Sequence, residues 1–419
     1  MSSPQNPQNL IVIGGGAAGF FGAISAAEAG LENILILERG PEILTKVRIS
    51  GGGRCNVTHN CYEPRELVEN YPRGVKSLIG AFHRFQPADT ISWFADQGVA
   101  LKVESDGRMF PTTDNSETII IALTSAAQKN GVAWHTRCGV AEVRKINELF
   151  KVKTSKGQIY FTRSLLVATG GIRSEHARIP AEDLGHKLSD PVPSLFTFKI
   201  EDYRLHGLPG VSVPNALLRA GKIETQGPLL ITHWGLSGPA TLKASAWGAR
   251  ELSEIDYQFT LEINWTGSET PDSLEKIFDE QRRKNGKRKV AKRSIIAGIS
   301  HRLWQRQTET ARITDATTWA NLTREQSSHL AYELAAAKFK VTGKSLNKEE
   351  FVTCGGVLLD DLNLKTMESK SVPNLYFCGE VLDIDGITGG FNFQSAWTTG
   401  YLAGLSINER LHCISSEMV

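Results

Sequence analysis

Three glycine clusters and one carboxylate carry the chemistry that can be read from this chain. The first cluster, Gly14-Gly15-Gly16-Ala17-Ala18-Gly19, stands between the apolar run Leu10–Ile13 and the alanine-rich stretch Ala17–Ala29, and Glu38 follows 22 residues after Gly16. In a G-x-G-x-x-G turn the first glycine makes the bend, the second lets backbone approach a pyrophosphate, and the third lets the helix pack on the strand. The helix N-terminus then offers N–H groups and partial positive charge to the phosphates. A carboxylate closing the second strand can accept both ribose hydroxyls. The alternative is a glycine-rich turn beside a solvated glutamate, but strand, helix and acid stand in register, which points to dinucleotide binding.

Three further segments point to FAD rather than NAD. Ser50-Gly-Gly-Gly-Arg-Cys-Asn56 follows the first unit closely. Successive glycines permit backbone contact with a flat ring or a phosphate, and Arg54 can offset negative charge; a flexible surface loop is the plainer reading. Leu165–Gly171 is an apolar strand ending in Thr169-Gly170-Gly171, a form many flavoproteins use to lead a strand past the cofactor. In Asn374–Trp397 a short strand ends in Gly379-Glu380, and Gly389-Gly390 precede a helix. That arrangement aims helix N–H groups at the N1/O2 edge of a flavin, where the reduced ring carries negative charge. A glycine-rich cap on a buried helix is the competing reading. No second G-x-G-x-x-G follows a strand, so a dedicated nicotinamide domain is not expected, and NAD(P)H is only a candidate electron donor.

Cys55 is the one candidate catalytic side chain in these segments, since a neighbouring arginine can favour the thiolate. A packed, inert cysteine is the stronger reading, because Cys61 is too far along the chain for a dithiol pair. His59, His233 and His301 are candidate acids or bases, although lone histidines are more often structural. The six cysteines show neither C-x-x-C nor zinc spacing, so no metal and no disulfide framework are expected. The run Arg282–Arg293 holds eight basic residues in twelve. It reads as the wet face of two helices turning at Asn285-Gly286 in preference to a nucleic-acid patch, since no aromatic residues interleave with it.

These groups need a frame. Leu10–Ile13, Ile34–Leu37 and Leu165–Ala168 read as strands buried in a parallel sheet, and Ala17–Ala29 as the helix of a βαβ unit. Asn115–Gln128 reads as a helix; Val132–His135, Val140–Ile146, Lys151–Thr154 and Gln158–Thr162 read as strands, the last three a meander. Ser194–Glu201 and Tyr257–Trp265 alternate with period two, which argues antiparallel strands with one wet face. From 271 the period is helical, with Asp272-x-x-Glu275 and Thr323-x-x-Gln326 as candidate caps. A last helix covers about Gln394–Leu405. The expected fold is α/β: a discontinuous Rossmann-type domain (1–193 and 351–419), an inserted β-rich, barrel-like domain (194–270 and 339–350) and a small helical domain (271–338). A chain with 41% hydrophobic and 22% charged residues and a formal charge of +2 makes no overall case for nucleic acid or an acidic membrane. The polar start and the lack of any long apolar run lead us to expect a cytoplasmic protein.

The motifs Ser50–Asn56, Thr232-His-Trp-Gly-Leu-Ser-Gly-Pro-Ala240, Thr353-Cys-Gly-Gly-Val357 and Gly379–Trp397 together resemble the bacterial flavoprotein family that contains aminoacetone oxidases and BaiN-type bile-acid dienone reductases. The resemblance implies noncovalent FAD. It implies Gly14, Gly16, Ala17, Ala18 and Gly19 at the pyrophosphate, Glu38 and Arg39 at the ribose, and the Val140 main chain at the adenine. Lys46, Gly52, Gly53, Arg54, Cys55 and Asn56 would lie along the flavin, flanked by Thr169 and Gly170. Gly379, Glu380, Asp383, Gly390, Phe391, Asn392 and Gln394 would complete the pocket. Cys378 and Phe393 depart from the alanine and leucine common in related sequences. The expected function is an FAD-dependent oxidoreductase, either a reductase of an activated C=C bond or an amine oxidase, acting on a small molecule. An RNA-modifying flavoprotein docking through 282–293 and a non-catalytic redox sensor are the alternatives.

Overall fold

A computed structural model describes residues 2–345 and 352–417. The apolar run near the N-terminus forms the strand Gln8–Ile13, and its parallel neighbours are Ile34–Leu37 on one side and Ile159–Val167 on the other. Leu375–Phe377 pairs parallel to Ile159–Val167, and Ala133–His135 parallel to Ile34–Leu37. The Rossmann sheet is therefore begun by the first strand and completed by a strand from near the C-terminus. Registers match Ile13 with Leu37 and with Val167, and Val167 with Phe377, so four parallel strands end level with one another.

The segments expected as two strands, Gln158–Thr162 and Leu165–Ala168, are one strand of nine residues. Its first half pairs antiparallel with Leu149–Thr154 in the meander, and its second half pairs in the parallel sheet. Alternating burial at one end and continuous burial at the other made one strand read as two. The helix Ala17–Glu28 is buried almost all round. The last helix, Phe391–Glu417, is longer than expected and lies against it backbone to backbone. A Cβ at Gly400 would come within 2.7 Å of the Ala18 carbonyl oxygen, and one at Gly404 within 2.4 Å of that of Gly22.

By its contacts the chain divides into two units, Met1–Pro193 with Lys348–Val419, and Ser194–Asn347. The second unit holds a closed antiparallel barrel in the order Thr197–Ile200, Gly235–Ser237, Ile223–Thr232, Ser212–Ala220, Phe259–Asn264, Ala337–Ser345. The last strand shows the period: Ala337, Phe339 and Val341 are buried, while Lys338, Lys340 and Thr342 face water. Positions 346–350 of the expected β-rich segment lie outside the described residues.

The stretch expected as a separate helical domain supplies Pro271–Asn285, His301–Thr310 and Arg324–Ala335. Leu274, Phe278, Leu303, Trp304, Leu330 and Leu334 join the same core as the barrel's Leu218, Ile231 and Phe339. Apolar stripes this narrow cannot close a core among themselves, so the helices bury them on the barrel. Thr323 and Gln326 form the expected capping box. The first helix is capped instead by Thr270 with Ser273, two residues ahead of the expected Asp272, because Pro271 takes the first helical position. The basic run is one helix end followed by a loop: the helix stops at Asn285, and Lys287–Arg293 form no second helix.

Candidate functional site

The four level strands deliver Gly14, Glu38, Ala168-Thr169-Gly170 and Cys378-Gly379 to one carboxyl edge. In an open parallel sheet, ligands bind at that edge, where the strand order reverses. Here the reversal lies between Gln8–Ile13 and Ile159–Val167. The three motif glycines meet different surroundings. A Cβ at Gly14 would stand 2.2 Å from the Ala168 oxygen, and one at Gly19 2.0 Å from the Gly14 oxygen, whereas one at Gly16 would meet nothing within 4 Å. The outer two are required by the protein's own packing. The middle one faces open space, the cradle a bound phosphate needs. The helix that starts beside it has no side-chain N-cap and no acid in its first turn, so its own first turn offers no group that competes with an anion there.

Glu38 is pinned by two backbone donors, Gly15 N–H to Oε2 at 2.7 Å and Gly40 N–H to Oε1 at 2.5 Å. Each oxygen keeps a second lone pair for a hydroxyl. A cavity of about 110 Å³ opens beside it, lined by Gly14, Glu38, Arg39, Val140, Thr169 and Ala177 among others. Glu38, Arg39, Val140 and Thr169 thus line one cavity. Ser174 and His176 also line it and were missed; the only signal for them was their place just after Thr-Gly-Gly.

The second cluster of groups is assembled from distant segments. The helix from Thr45 leaves helical geometry at Ser50, and Gly51, Gly52 and Gly53 follow at φ of 58°, 69° and 84°. Cβ atoms at Gly52 and Gly53 would meet nothing within 4 Å. Asn56, oriented to satisfy its neighbours, donates to the Thr58 oxygen (3.1 Å) and accepts from Gly390 N–H (2.9 Å). Tyr71 Oη donates to the Phe391 oxygen at 2.6 Å, and Trp397 Nε1 to the Val57 oxygen at 2.9 Å. The stretch 56–58 is thereby bonded along the first turns of the last helix. Gly379 reaches the first helix, where a Cβ on it would lie 2.6 Å from that of Ala18. Asn392 closes the preceding loop by exchanging two 2.8 Å bonds with Gly386.

Several expected residues are placed otherwise. Gln394 is fully buried: its Oε1 accepts from Thr58 (2.6 Å) and Thr90 (2.9 Å), and its Nε2 donates to Thr398 (3.1 Å). It braces the helix from behind instead of lining a pocket. Sequence reasoning had no signal for Thr90 or Tyr71, which lie far from every motif. Arg54 bonds Glu104 at 2.6 Å, contacts Asp114 at 3.5 Å, and stacks 4.0 Å over the Phe110 ring. Its charge is compensated within the protein. Cys55 is fully buried and burial pushes its thiol up to about 12, so the packed reading describes it better than a thiolate does. Lys46 pairs with Glu380, whose other oxygen accepts from Thr353 N–H at 2.9 Å. Asp383 donates its N–H to the Val357 oxygen at 3.1 Å. Among the described residues no group of three His, Cys, Asp or Glu is placed to hold a metal ion, and no helix is long and apolar enough to cross a membrane.

Residues 8–406 match the family model described as the HI0933-like protein Rossmann domain. The chain belongs to the HI0933-like family. The membership expected from the motifs is thereby borne out. Two relatives are named ribosomal RNA dihydrouridine synthase. The one from Haemophilus influenzae is 31% identical over 416 residues, covering 96% of this chain and 98% of that protein. The Escherichia coli one is 30% identical over 406 residues, covering 94% and 96%. A 3-dehydro-bile acid delta(4,6)-reductase from Clostridium scindens is 27% identical over 411 residues, covering 95% and 98%. Among solved structures, a flavocytochrome c3 fumarate reductase superposes with a TM-score of 0.52 at 17% identity, over 97% of this chain and 79% of that one. The 3-ketosteroid delta1-dehydrogenase of Sterolibacterium denitrificans gives 0.52 at 10% identity, over 96% and 99%. At these identities the structural likeness speaks for the fold, which this HI0933-like chain shares.

Proposed function

We infer that the protein is an FAD-dependent oxidoreductase that reduces an electron-poor C=C bond. The observation that carries this is the open backbone at Gly16, beside the carboxyl edge of the sheet, and at Gly52–Gly53, where the protein's own packing leaves the Cβ positions empty. Gly14–Gly19 would hold the pyrophosphate, Glu38 with the adjoining cavity the adenosine, and Gly52, Gly53 and Gly390 the ring. FAD bound there would supply a hydride to the acceptor. The chain's contribution is to orient: pinned Glu38 holds one end, and the bonds of Asn56, Tyr71 and Gln394 hold the other. Relatives that match over nearly their whole length support reduction over amine oxidation, since a dihydrouridine synthase and a delta(4,6)-reductase both bear names that describe saturating a ring double bond.

Whether that ring belongs to a small molecule or to RNA divides the reading. The small-molecule acceptor is supported by the delta(4,6)-reductase relative. A uracil in RNA is favoured by the two relatives named for ribosomal RNA and by the basic segment, where Arg283, Lys284, Lys287, Arg288, Lys289, Lys292 and Arg293 are all exposed. The test is to purify the protein, record its flavin bands, and follow anaerobic bleaching by NADH and NADPH. The reduced protein is then given a steroid dienone or an unmodified ribosomal RNA fragment. Reoxidation with two hydrogens gained by one acceptor is expected. Binding to RNA would weaken steeply with salt. Absence of flavin bands even after FAD is added would sink the reading.

A further inference from the structure

The loop that leads into the last helix is held by a segment far away in the chain. Residues 70–74 connect the helices Pro64–Val68 and Val75–Phe82 and lie against residues 384–391. Ile387 N–H donates to the Asn70 oxygen at 2.9 Å, Tyr71 Oη donates to the Phe391 oxygen, and Arg73 pairs with Asp385 as an isolated antiparallel bridge. The side chains repeat that backbone pairing. Two nitrogens of the Arg73 guanidinium donate to the two oxygens of the Asp385 carboxylate. Asp385 is fully buried, and the Arg73 side chain is 15% exposed. Two glycines tighten the fit. A Cβ at Gly74, where φ is 92°, would fall 2.9 Å from Ile384 Cγ1, and one at Gly386 would fall 2.8 Å from Phe391 Cβ.

Stability alone does not call for an ion pair this deep. Taking both charges out of water opposes folding, and apolar residues of similar size often serve stability as well or better. What the pair adds is geometry: a planar fork meets a carboxylate in one orientation and rejects slipped registers. The register it fixes runs from Asp385 to Phe391, where the last helix begins. The first turn of that helix carries unpaired N–H groups and partial positive charge. A reduced flavin carries negative charge on its ring, and such a turn stabilises it only when held in place. Neither Arg73 nor Asp385 is among the residues expected to touch the cofactor.

We propose that the Arg73–Asp385 pair is a positioning device for the flavin: it holds the first turn of the last helix where that turn favours the reduced ring over the oxidised one. This rests on the FAD reading and deepens it. The test compares the unaltered protein with Arg73→Met/Asp385→Leu, which removes both charges together and keeps apolar volume in their place. Each protein is reconstituted with FAD and reduced stepwise with dithionite beside a reference dye, which gives the midpoint potential. Unfolding in urea is followed without FAD. The double variant binds oxidised FAD about 3-fold and reduced FAD about 30-fold less tightly, while its stability without FAD stays near that of the unaltered protein. That tenfold difference is a fall of about 30 mV in the two-electron potential. Arg73→Lys keeps the charge and loses the fork, and lowers the potential by about half as much, a roughly 3-fold difference. An unchanged potential in the double variant overturns the proposal whether or not stability falls, since the pair then serves packing alone. If the double variant does not fold, an unchanged potential in Arg73→Lys overturns it. Either result leaves the FAD reading standing; an unaltered protein that takes up no FAD overturns that reading and the proposal with it.

Discussion

The two ends of the proposed nucleotide site are built on opposite plans. The phosphate end is local: strand, Gly14–Gly19, helix and Glu38 lie within one βαβ unit, and each part has a fixed task. The ring end joins Gly51–Asn56 to Gly389–Gln394, segments more than three hundred residues apart, through Asn56, Thr58, Tyr71 and Gln394. A local device is held by backbone sterics, and its outer glycines, Gly14 and Gly19, tolerate no added atom. A device assembled at long range is held by buried polar bonds, so it weakens by degrees as each is lost.

The sharpest way to break this comparison is at the phosphate end. Gly19→Ala drives a methyl into the Gly14 carbonyl, and unfolding in urea should show a loss of about 3 kcal/mol, with FAD no longer retained. Next is Gln394→Leu, which leaves the Thr58 and Thr90 hydroxyls without their acceptor. We expect a loss of about 2–3 kcal/mol by the same measurement, together with weaker FAD binding. Gly16→Ala should leave the melting temperature near that of the unaltered protein while weakening FAD by about 10-fold, roughly 1.4 kcal/mol. A Gly16→Ala protein that keeps its affinity would show that the open space there serves no ligand.

The smallest effect concerns Cys55. Its thiol pKa is raised by burial from 9.0 to about 12, so the unfolded chain releases this proton first. The stability held below pH 9 is therefore lost as pH rises from about 9 towards 12. Cys55→Ser should flatten that alkaline slope without changing the pH profile of turnover between 6 and 8, which a catalytic thiolate would shift.

Legibility followed the same division. The strands, the turn at Gly14–Gly19 and the strand ends at Glu38 and Thr169 were readable because a short-range motif must place its glycines at fixed offsets. Gly51–Gly53 and Gly389–Gly390 stood out in the sequence as unusual glycine runs, and all five adopt positive φ, which favours glycine. Gln394 was expected in the pocket because its neighbours in the chain were, and only the packing of Thr58, Thr90 and Thr398 around it turns it inward. Arg54 was read as offsetting negative charge on a ligand, since its partners Glu104 and Asp114 are fifty and sixty residues away. The separate helical domain failed because periodicity reports an apolar stripe without naming what covers it.

The amino-acid order alone determined the βαβ unit, the return of the chain to the same sheet, the antiparallel character of the inserted segment and the family. Each follows from periodicity and short offsets, which act between residues close in the chain. Only the tertiary structure decided that four strands end level and that the helices of 271–335 close the barrel's core. It also decided that Cys55 is sealed away, and that Arg73 meets a buried Asp385. Burial, charge compensation and exposure are set by groups hundreds of residues distant, and no local spacing encodes them.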